Sequence, residues 1–373
     1  MLRCWLLIAV FLAAPAWGQE APKNVAAVLQ PLVDQHKLAG AVVLVADKDK
    51  VLDVETVGFA NVAAKTPMAK DTLFWIASMT KPVTGVGLMI LVDEGKVKLD
   101  DPVEKYLPEF KTVTVAGNPP TKPKATMTVR MLMTHTSGMP FTSPAEKPTL
   151  DMLSLADSVK DYVATPLHSE PGTKLVYSNC GINTAGRIIE VVSETPYEEF
   201  MEKRVFAPLG MKDTMFVPDA AQLKRLATSY KPTAKKDDLE EVNIWALKYP
   251  LTDKTRKPMP AGGLFSTAAD VGVFCQMMLN NGEWQGKKIL SPEAVKEMTK
   301  RQTPPGIKET WGIGFTVGPN TYGHGGAFAT QMNVDTNRGL VTVYMVQHNG
   351  FPGDGGKGHD LFRQAAAVLY GRK

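Results

Sequence analysis

The segments of this chain with strand character lie at its two ends, and a long helical stretch separates them. Ala41 to Ala46 and Val51 to Phe59 read as a strand pair around the polar turn Asp47-Lys48-Asp49-Lys50. Near the C-terminus, Gly312 to Val317, Ala329 to Asp335 and Gly339 to His348 have the same character. Strands so far apart in sequence form one sheet only if the ends of the chain meet. The expected fold is therefore α/β with an α+β ordering: an antiparallel sheet from the N- and C-terminal segments, flanked by helices, with a large, mainly helical inserted subdomain. A sheet part at about 19–75 and 310–373 and a helical part at about 76–309 would join at a cleft, the default place for a ligand.

Helical patterns fill the middle. Val83 to Val92 is a long apolar segment that closes at Gly95 as a C-cap. Further helices are expected at Val129 to Met133, Leu150 to Ala164, Gly181 to Ser193, Tyr197 to Val205, Ala268 to Leu279, Pro292 to Thr299 and Asp360 to Tyr370. An opening helix is read from Val25, Val28, Leu29 and Leu32. The charged stretch Lys231 to Glu241 reads as a solvated loop.

At the N-terminus, Arg3 precedes an apolar run from Cys4 to Ala14, and Ala16-Trp17-Gly18 offers a cut before Gln19. This is the pattern of a secretory signal over residues 1–18, with a short anchor as the other reading. The expected location is periplasmic or secreted, with no membrane span after cleavage. Cys180 and Cys275 then remain, too few for a disulfide scaffold. A net charge of +4, scattered along 373 residues, lacks the concentrated basic stripe of a nucleic-acid binder.

Three short motifs can carry chemistry. In Ser78-Met79-Thr80-Lys81, serine and lysine are three apart and share one helical face. A serine hydroxyl needs a base, and lysine serves if burial lowers its pKa. At a helix N-terminus, free N–H groups also suit a developing oxyanion; the bland alternative is an N-cap serine beside a solvated lysine. In Tyr177-Ser178-Asn179, a tyrosine held as phenolate beside a lysine ammonium is a general base, and the amide can orient that lysine. The bland alternative is a helix-entry loop capped by Asn179. In His324-Gly325-Gly326-Ala327, glycines allow close backbone approach and a strand edge can bind an acyl amide; in isolation it is a plain turn.

In this order the three motifs resemble those of the serine β-lactamase and penicillin-binding-protein superfamily, most of all its class C β-lactamase-like branch. Supporting stretches run from about residue 25 to 370: Phe74 to Lys81, Gly95 to Val103, Met131-Leu132-Met133-Thr134-His135-Thr136-Ser137-Gly138-Met139, Pro171-Gly172 and Ala261-Gly262-Gly263-Leu264. The resemblance implies a β-lactamase/transpeptidase-like fold over residues 19–373. It also implies roles: Ser78 attacks the carbonyl, Lys81 takes or relays the proton, and Tyr177 acts as base and then acid. Asn179 would orient Lys81 and the acyl amide. The N–H groups of Ser78 and Ala327 would form the oxyanion hole, and His324, Gly325 and Gly326 would line the substrate strand. No cofactor or metal is implied, and the histidines show no clustered ligand spacing.

Where β-lactamases carry Lys-Thr-Gly or Lys-Ser-Gly, this chain has His324-Gly325-Gly326. A neutral imidazole and a glycine meet a carboxylate less well than a lysine and a hydroxyl. The expectation is an exported serine hydrolase that opens a carboxylic ester or amide through a Ser78 acyl-enzyme, with esters first. A D-alanyl-D-alanine carboxypeptidase or weak β-lactamase is the alternative, and a non-catalytic peptidoglycan-binding or assembly protein a further one. The partner expected is a small ester, β-lactam or D-amino-acid peptide. His135 reads as structural, and Trp245, Trp284 and Trp311 as core or cleft wall.

Overall fold

A computed structural model of the protein describes residues 22–371, so the expected signal segment lies outside the described residues. Seven strands form one sheet: β1 (Gly40–Ala46), β2 (Val51–Asn61), β3 (Thr66–Pro67), β4 (Thr316–Val317), β5 (Thr321–Gly325), β6 (Gln331–Asp335) and β7 (Leu340–Met345). Their spatial order is β4-β5-β6-β7-β1-β2-β3. Every neighbouring pair is antiparallel. The ends of the chain meet at β1 and β7, where Leu44 lies opposite Val343.

The sequence of β1 explains the layering. All seven of its residues are buried, so apolar side chains fill both faces instead of alternating with polar ones. Val42, Leu44 and Ala46 enter the large core shared with the helices of the inserted part. Ala41, Val43 and Val45 enter a second core with Leu29, Phe362 and Ala366. Three layers result, with β1 at the centre of the middle one.

The site is built by α1 (Thr80–Asp93), α2 (Val129–Met133), α3 (Leu155–Ala164) and α4 (Asn179–Ser193); α5 (Ala268–Leu279) packs on the sheet. The last helix, α6 (Gly358–Tyr370), covers the other face. Residues Thr80 to Leu91 of α1 are all buried, as a helix apolar on every side must be. It ends as expected near Gly95, which has φ +71°, while the N–H of Lys96 reaches Leu91 O at 3.0 Å.

Some expectations need correction. Residue patterning alone does not mark β5, because Thr321-Tyr322-Gly323-His324-Gly325 is poor in branched side chains; only the resemblance implied a substrate strand at His324 and Gly325. The charged segment from 231 to 241 is not a plain loop: Tyr230–Pro232 and Leu239–Glu241 pair as a small hairpin, with Lys231 bridging Glu240 at 3.0 Å. At the N-terminus only Gln30–Asp34 is helical, since Pro31 has no N–H to continue a helix from earlier residues. The helix from Tyr197 widens by one residue at Glu202–Phe206 into a π-turn.

Two loops are locked together by a buried ion pair. Arg256 Nε donates to Asp151 Oδ2 at 2.6 Å, and their side chains are 2% and 1% exposed. Asp151 also accepts from the N–H of Lys248 at 3.0 Å, and Arg256 donates to Leu251 O at 2.7 Å. Removing one partner strands the other charge in the interior. Asp151→Ala is therefore expected to lower the unfolding free energy by about 3–5 kcal/mol, read from urea denaturation. A loss below about 1 kcal/mol, the scale of a surface pair, would contradict this reading.

Candidate active site

Ser78 sits on a tight turn between two elements. The two-residue strand Phe74–Trp75 pairs with Phe265–Ser266, and the chain then makes a 3₁₀ turn, Ala77–Met79, before α1. Ala77 is forced to φ +46°, a conformation costly for a residue with a Cβ. The turn is braced on both sides. Trp75 Nε1 donates to Gly262 O at 2.8 Å, and the N–H of Ile76 donates to Leu264 O at 3.0 Å. The half-buried Ser78 does not cap the helix, since Met79 holds that position without a side-chain bond.

Its hydroxyl faces Lys81 instead. Lys81 Nζ lies 2.9 Å from Ser78 Oγ, 2.9 Å from Asn179 Oδ1 and 2.7 Å from Ala261 O. Lys81 is fully buried and has no carboxylate partner among the described residues. Burial therefore pulls its pKa well below that of an ordinary lysine. Asn179 is free for this contact because Ser178 does the capping: Ser178 Oγ accepts from the N–H of Gly181 at 2.9 Å. Its hydroxyl in turn donates to Pro140 O at 2.7 Å.

Tyr177 lies over the lysine, with Nζ 4.7 Å from the ring centroid. Burial pushes its phenol up to about 12, against an opposing pull from the neighbouring Ser78 hydroxyl. The phenolate–ammonium pair suggested by the sequence is thus disfavoured at both ends. The ring is held in an aromatic box: His135 at 4.3 Å, Trp311 at 5.7 Å, Phe141 at 6.1 Å and His324 at 6.4 Å between centroids. His135 accepts from the N–H of Ser178 at Nδ1, 3.1 Å. A backbone N–H can only donate, so the proton of this imidazole is on Nε2. Burial, then Lys81, then His324 hold His135 well below its usual pKa.

His324 is the opposite tautomer. Its Nδ1 is 2.7 Å from Gly325 O, which can only accept, so the proton is on Nδ1 and Nε2 is a lone pair without a partner. Burial and Lys81 bring its pKa down to about 3, and the ring is neutral. Beyond Gly323, β5 pairs with no strand on its β4 side among the described residues, which leaves His324 and Gly325 on an edge without a neighbouring strand.

The turn after β5 is carried to the nucleophile by Gly326. A Cβ there would lie 2.6 Å from Ile76 O and 2.1 Å from Thr330 Oγ1, so only glycine allows the contact. Phe328 anchors the same turn edge-on against Trp75 at 5.3 Å. The turn's own bonds run from Gly326 N–H to Thr330 O at 2.7 Å and from Ala329 N–H to Gly326 O at 3.0 Å. The 3₁₀ turn opens with Met79 N–H to Ile76 O at 3.0 Å. Neither the Ser78 nor the Ala327 N–H is spent in these bonds, as an oxyanion hole requires.

Ser78, Lys81, Tyr177, Asn179 and His324 are thus brought together, with Gly325, Gly326 and the exposed Ala327 on the adjoining edge. Sequence reading assigned no site role to the Ala261 carbonyl, to Phe141 or to the packing of Trp311; backbone atoms and ring stacking leave no motif. Cys180 and Cys275 are buried free thiols. Among the described residues, no helix is long and apolar enough to cross a membrane.

The Beta-lactamase family model matches residues 25–367. Protein Rv1367c of Mycobacterium tuberculosis is 31% identical, over 86% of this chain and 88% of its own length. Esterase EstB of Burkholderia gladioli is 27% identical, over 78% of this chain and 77% of its own. Among solved structures, EstCE1, described as a hydrolase with promiscuous acyltransferase activity, has a TM-score of 0.77 at 24% identity, covering 93% of this chain and 97% of that one. That last likeness concerns the fold. A match from residue 25 to residue 367, with a relative 31% identical along most of its length, puts this chain in the Beta-lactamase family of serine hydrolases.

Proposed function

We propose that this protein hydrolyses neutral carboxylic esters through an acyl-enzyme on Ser78. One observation carries the reading: the three neighbours of Lys81 Nζ satisfy it in both protonation states. As a free amine it gives its two hydrogens to Asn179 Oδ1 and Ala261 O, which only accept, and turns its lone pair to the Ser78 hydroxyl. As an ammonium it gives its third hydrogen to Ser78 Oγ. A base that can take a proton without moving is suited to general-base catalysis.

The chemistry then follows. Ser78 Oγ attacks the ester carbonyl and its proton passes to Lys81 Nζ. The Ser78 and Ala327 N–H groups take the oxyanion. Tyr177, protonated at neutral pH, gives its proton to the departing alkoxide and recovers one from Lys81. Water repeats the sequence on the acyl-enzyme, releasing the acid and restoring Ser78.

The electrostatics favour uncharged substrates. In place of the Lys-Thr-Gly cation stands a neutral His324, and Lys81 is committed to the nucleophile. No charge-assisted bond to a substrate carboxylate is offered there. Similarity to an esterase, EstB, agrees with this. The signal-like residue pattern ahead of Gln19 supports export.

The test uses p-nitrophenyl butyrate, a chromogenic cephalosporin and a D-alanyl-D-alanine peptide, with Ser78→Ala beside the native protein. A missing charge-assisted hydrogen bond is worth about 1.5–3 kcal/mol, or roughly 10- to 150-fold in kcat/KM, and the ester should lead by at least that. Intact mass should show a butyryl adduct that Ser78→Ala lacks. Faster turnover of either anionic substrate would overturn the ester assignment. Absence of any Ser78-dependent turnover or adduct would favour a binding or assembly role.

A further inference from the structure

The lysine is held by more than its three neighbours. Asn183 lies one helical turn after Asn179 on α4, so the two amides share a face. Asn179 meets Lys81 directly. Asn183 reaches it through the backbone: Asn183 Oδ1 accepts from the N–H of Ala261 at 3.0 Å, and the carbonyl of Ala261 accepts from Lys81 Nζ at 2.7 Å.

The other end of the Asn183 amide meets a buried acid. Nδ2 donates to Tyr162 Oη at 3.0 Å and lies 3.4 Å from Glu146 Oε1. Tyr162 donates its proton to that same Oε1. Glu146 Oε2 accepts from the N–H of Ser143 at 2.9 Å, with Ser143 Oγ at 3.5 Å and Cys180 Sγ at 3.8 Å. Glu146, Asn183 and Tyr162 are 4%, 3% and 1% exposed. Among the described residues Glu146 has no lysine or arginine partner.

With Glu146 as a carboxylate, each bond in this chain has one permitted sense. The N–H of Ala261 can only donate, so it claims the oxygen of Asn183. The nitrogen must then point to Tyr162, which accepts from it and passes its own proton to Glu146. A buried carboxyl with no cation is an expensive way to hold a loop in place. Here it fixes which way an amide faces, and the amide fixes the peptide that meets Lys81.

We propose that Asn183, oriented by Tyr162 and Glu146, is a positioning residue that sets the Ala261 carbonyl and through it the place and basicity of Lys81. This rests on Lys81 being the base for Ser78. The titratable groups facing Lys81 are Tyr177, His135 and His324, and none is altered by the substitutions below.

Single-turnover acylation by p-nitrophenyl butyrate is followed against pH for the native protein, Asn183→Ala, Tyr162→Phe and Glu146→Gln, with thermal midpoints beside them. Asn183→Ala should slow acylation roughly tenfold or more, with KM little changed. Its acid limb should move to lower pH, because the ammonium loses a placed acceptor. Tyr162→Phe, which removes only a hydroxyl, should move both quantities the same way by less, and carries the test if Asn183→Ala does not fold. Simple loosening would let water reach the lysine and move the limb to higher pH. An upward or unmoved limb, with rates that follow the thermal midpoints, overturns the proposal. Native protein that acylates while all three variants match it removes the Asn183 assignment alone. Native protein that shows no acid limb and no Ser78 adduct removes the reading of Lys81 as well.

Discussion

Lys81→Met should slow acylation of Ser78 by about 10²- to 10⁴-fold and make the stability of the fold less dependent on pH. The first effect follows because the lone pair that takes the Ser78 proton is gone, while a methionine fills much the same space. Tyr177 is a poor substitute base, since its phenol stays protonated up to about 12. The second effect is a linkage argument. Burial depresses the pKa of Lys81 in the folded chain, whereas in the unfolded chain it is protonated below about 10.4. Between those two values the unfolded state binds one more proton. Falling pH therefore favours unfolding, and the contribution of Lys81 is greatest above the unfolded value and diminishes until the folded value is reached. Methionine has no such term. The native protein's stability relative to the variant should drop by about 1.4 kcal/mol for each pH unit across that window. At the alkaline end the variant is the weaker protein, because Asn179 Oδ1 and Ala261 O have each lost a donor. Urea unfolding of both proteins from neutral to alkaline pH reads this directly. Parallel stability curves would mean that Lys81 is an ordinary ammonium, and the free-amine mechanism would fall with it.

What could be read beforehand was what is local. Ser78 and Lys81 are three residues apart, Val129–Met133 and Ala268–Leu279 have clean helical periods, and their structural bounds match. The meeting of the chain ends was legible because the strand patterns lie at the two ends and can share one sheet only if those ends meet. What escaped depends on partners far along the chain. Ala261 meets Lys81 across 180 residues through a carbonyl that any residue type would supply. Glu146 gave no signal, since an isolated glutamate in a Pro-rich loop reads as surface, and its burial is made tolerable by Tyr162, Asn183 and the N–H of Ser143. Strand β5 was hidden for a functional reason: the glycines that allow the chain at 323 and 326 to approach other backbone also erase the strand pattern. Trp311 was read as cleft wall, and it packs at 4.5 Å on His135 and 5.7 Å on Tyr177.

Those glycines give the sharpest contrast available at the site. Gly326→Ala should reduce kcat for a neutral ester by about 10²- to 10³-fold, the loss of one oxyanion donor, while Gly325→Ala should cost far less. The two residues are adjacent and equally modest in sequence, so only geometry separates them. A Cβ on Gly325 would meet the end of the Gln331 side chain at 2.7 Å, and a flexible amide can swing aside. A Cβ on Gly326 would meet the carbonyl of Ile76 at 2.6 Å, and that carbonyl belongs to the turn that presents Ser78. Ile76 is also bonded to Leu264 and cannot retreat without disturbing the brace behind the nucleophile. The turn after β5 must therefore withdraw, taking the N–H of Ala327 away from that of Ser78. The strand edge at His324 and Gly325 precedes the displaced turn and should keep its place, so KM should change little. The chemical step should slow because stabilisation of the oxyanion is specific to the transition state. Equal losses in the two variants, or a loss confined to KM, would place the oxyanion donors elsewhere than on the Ser78 and Ala327 backbone.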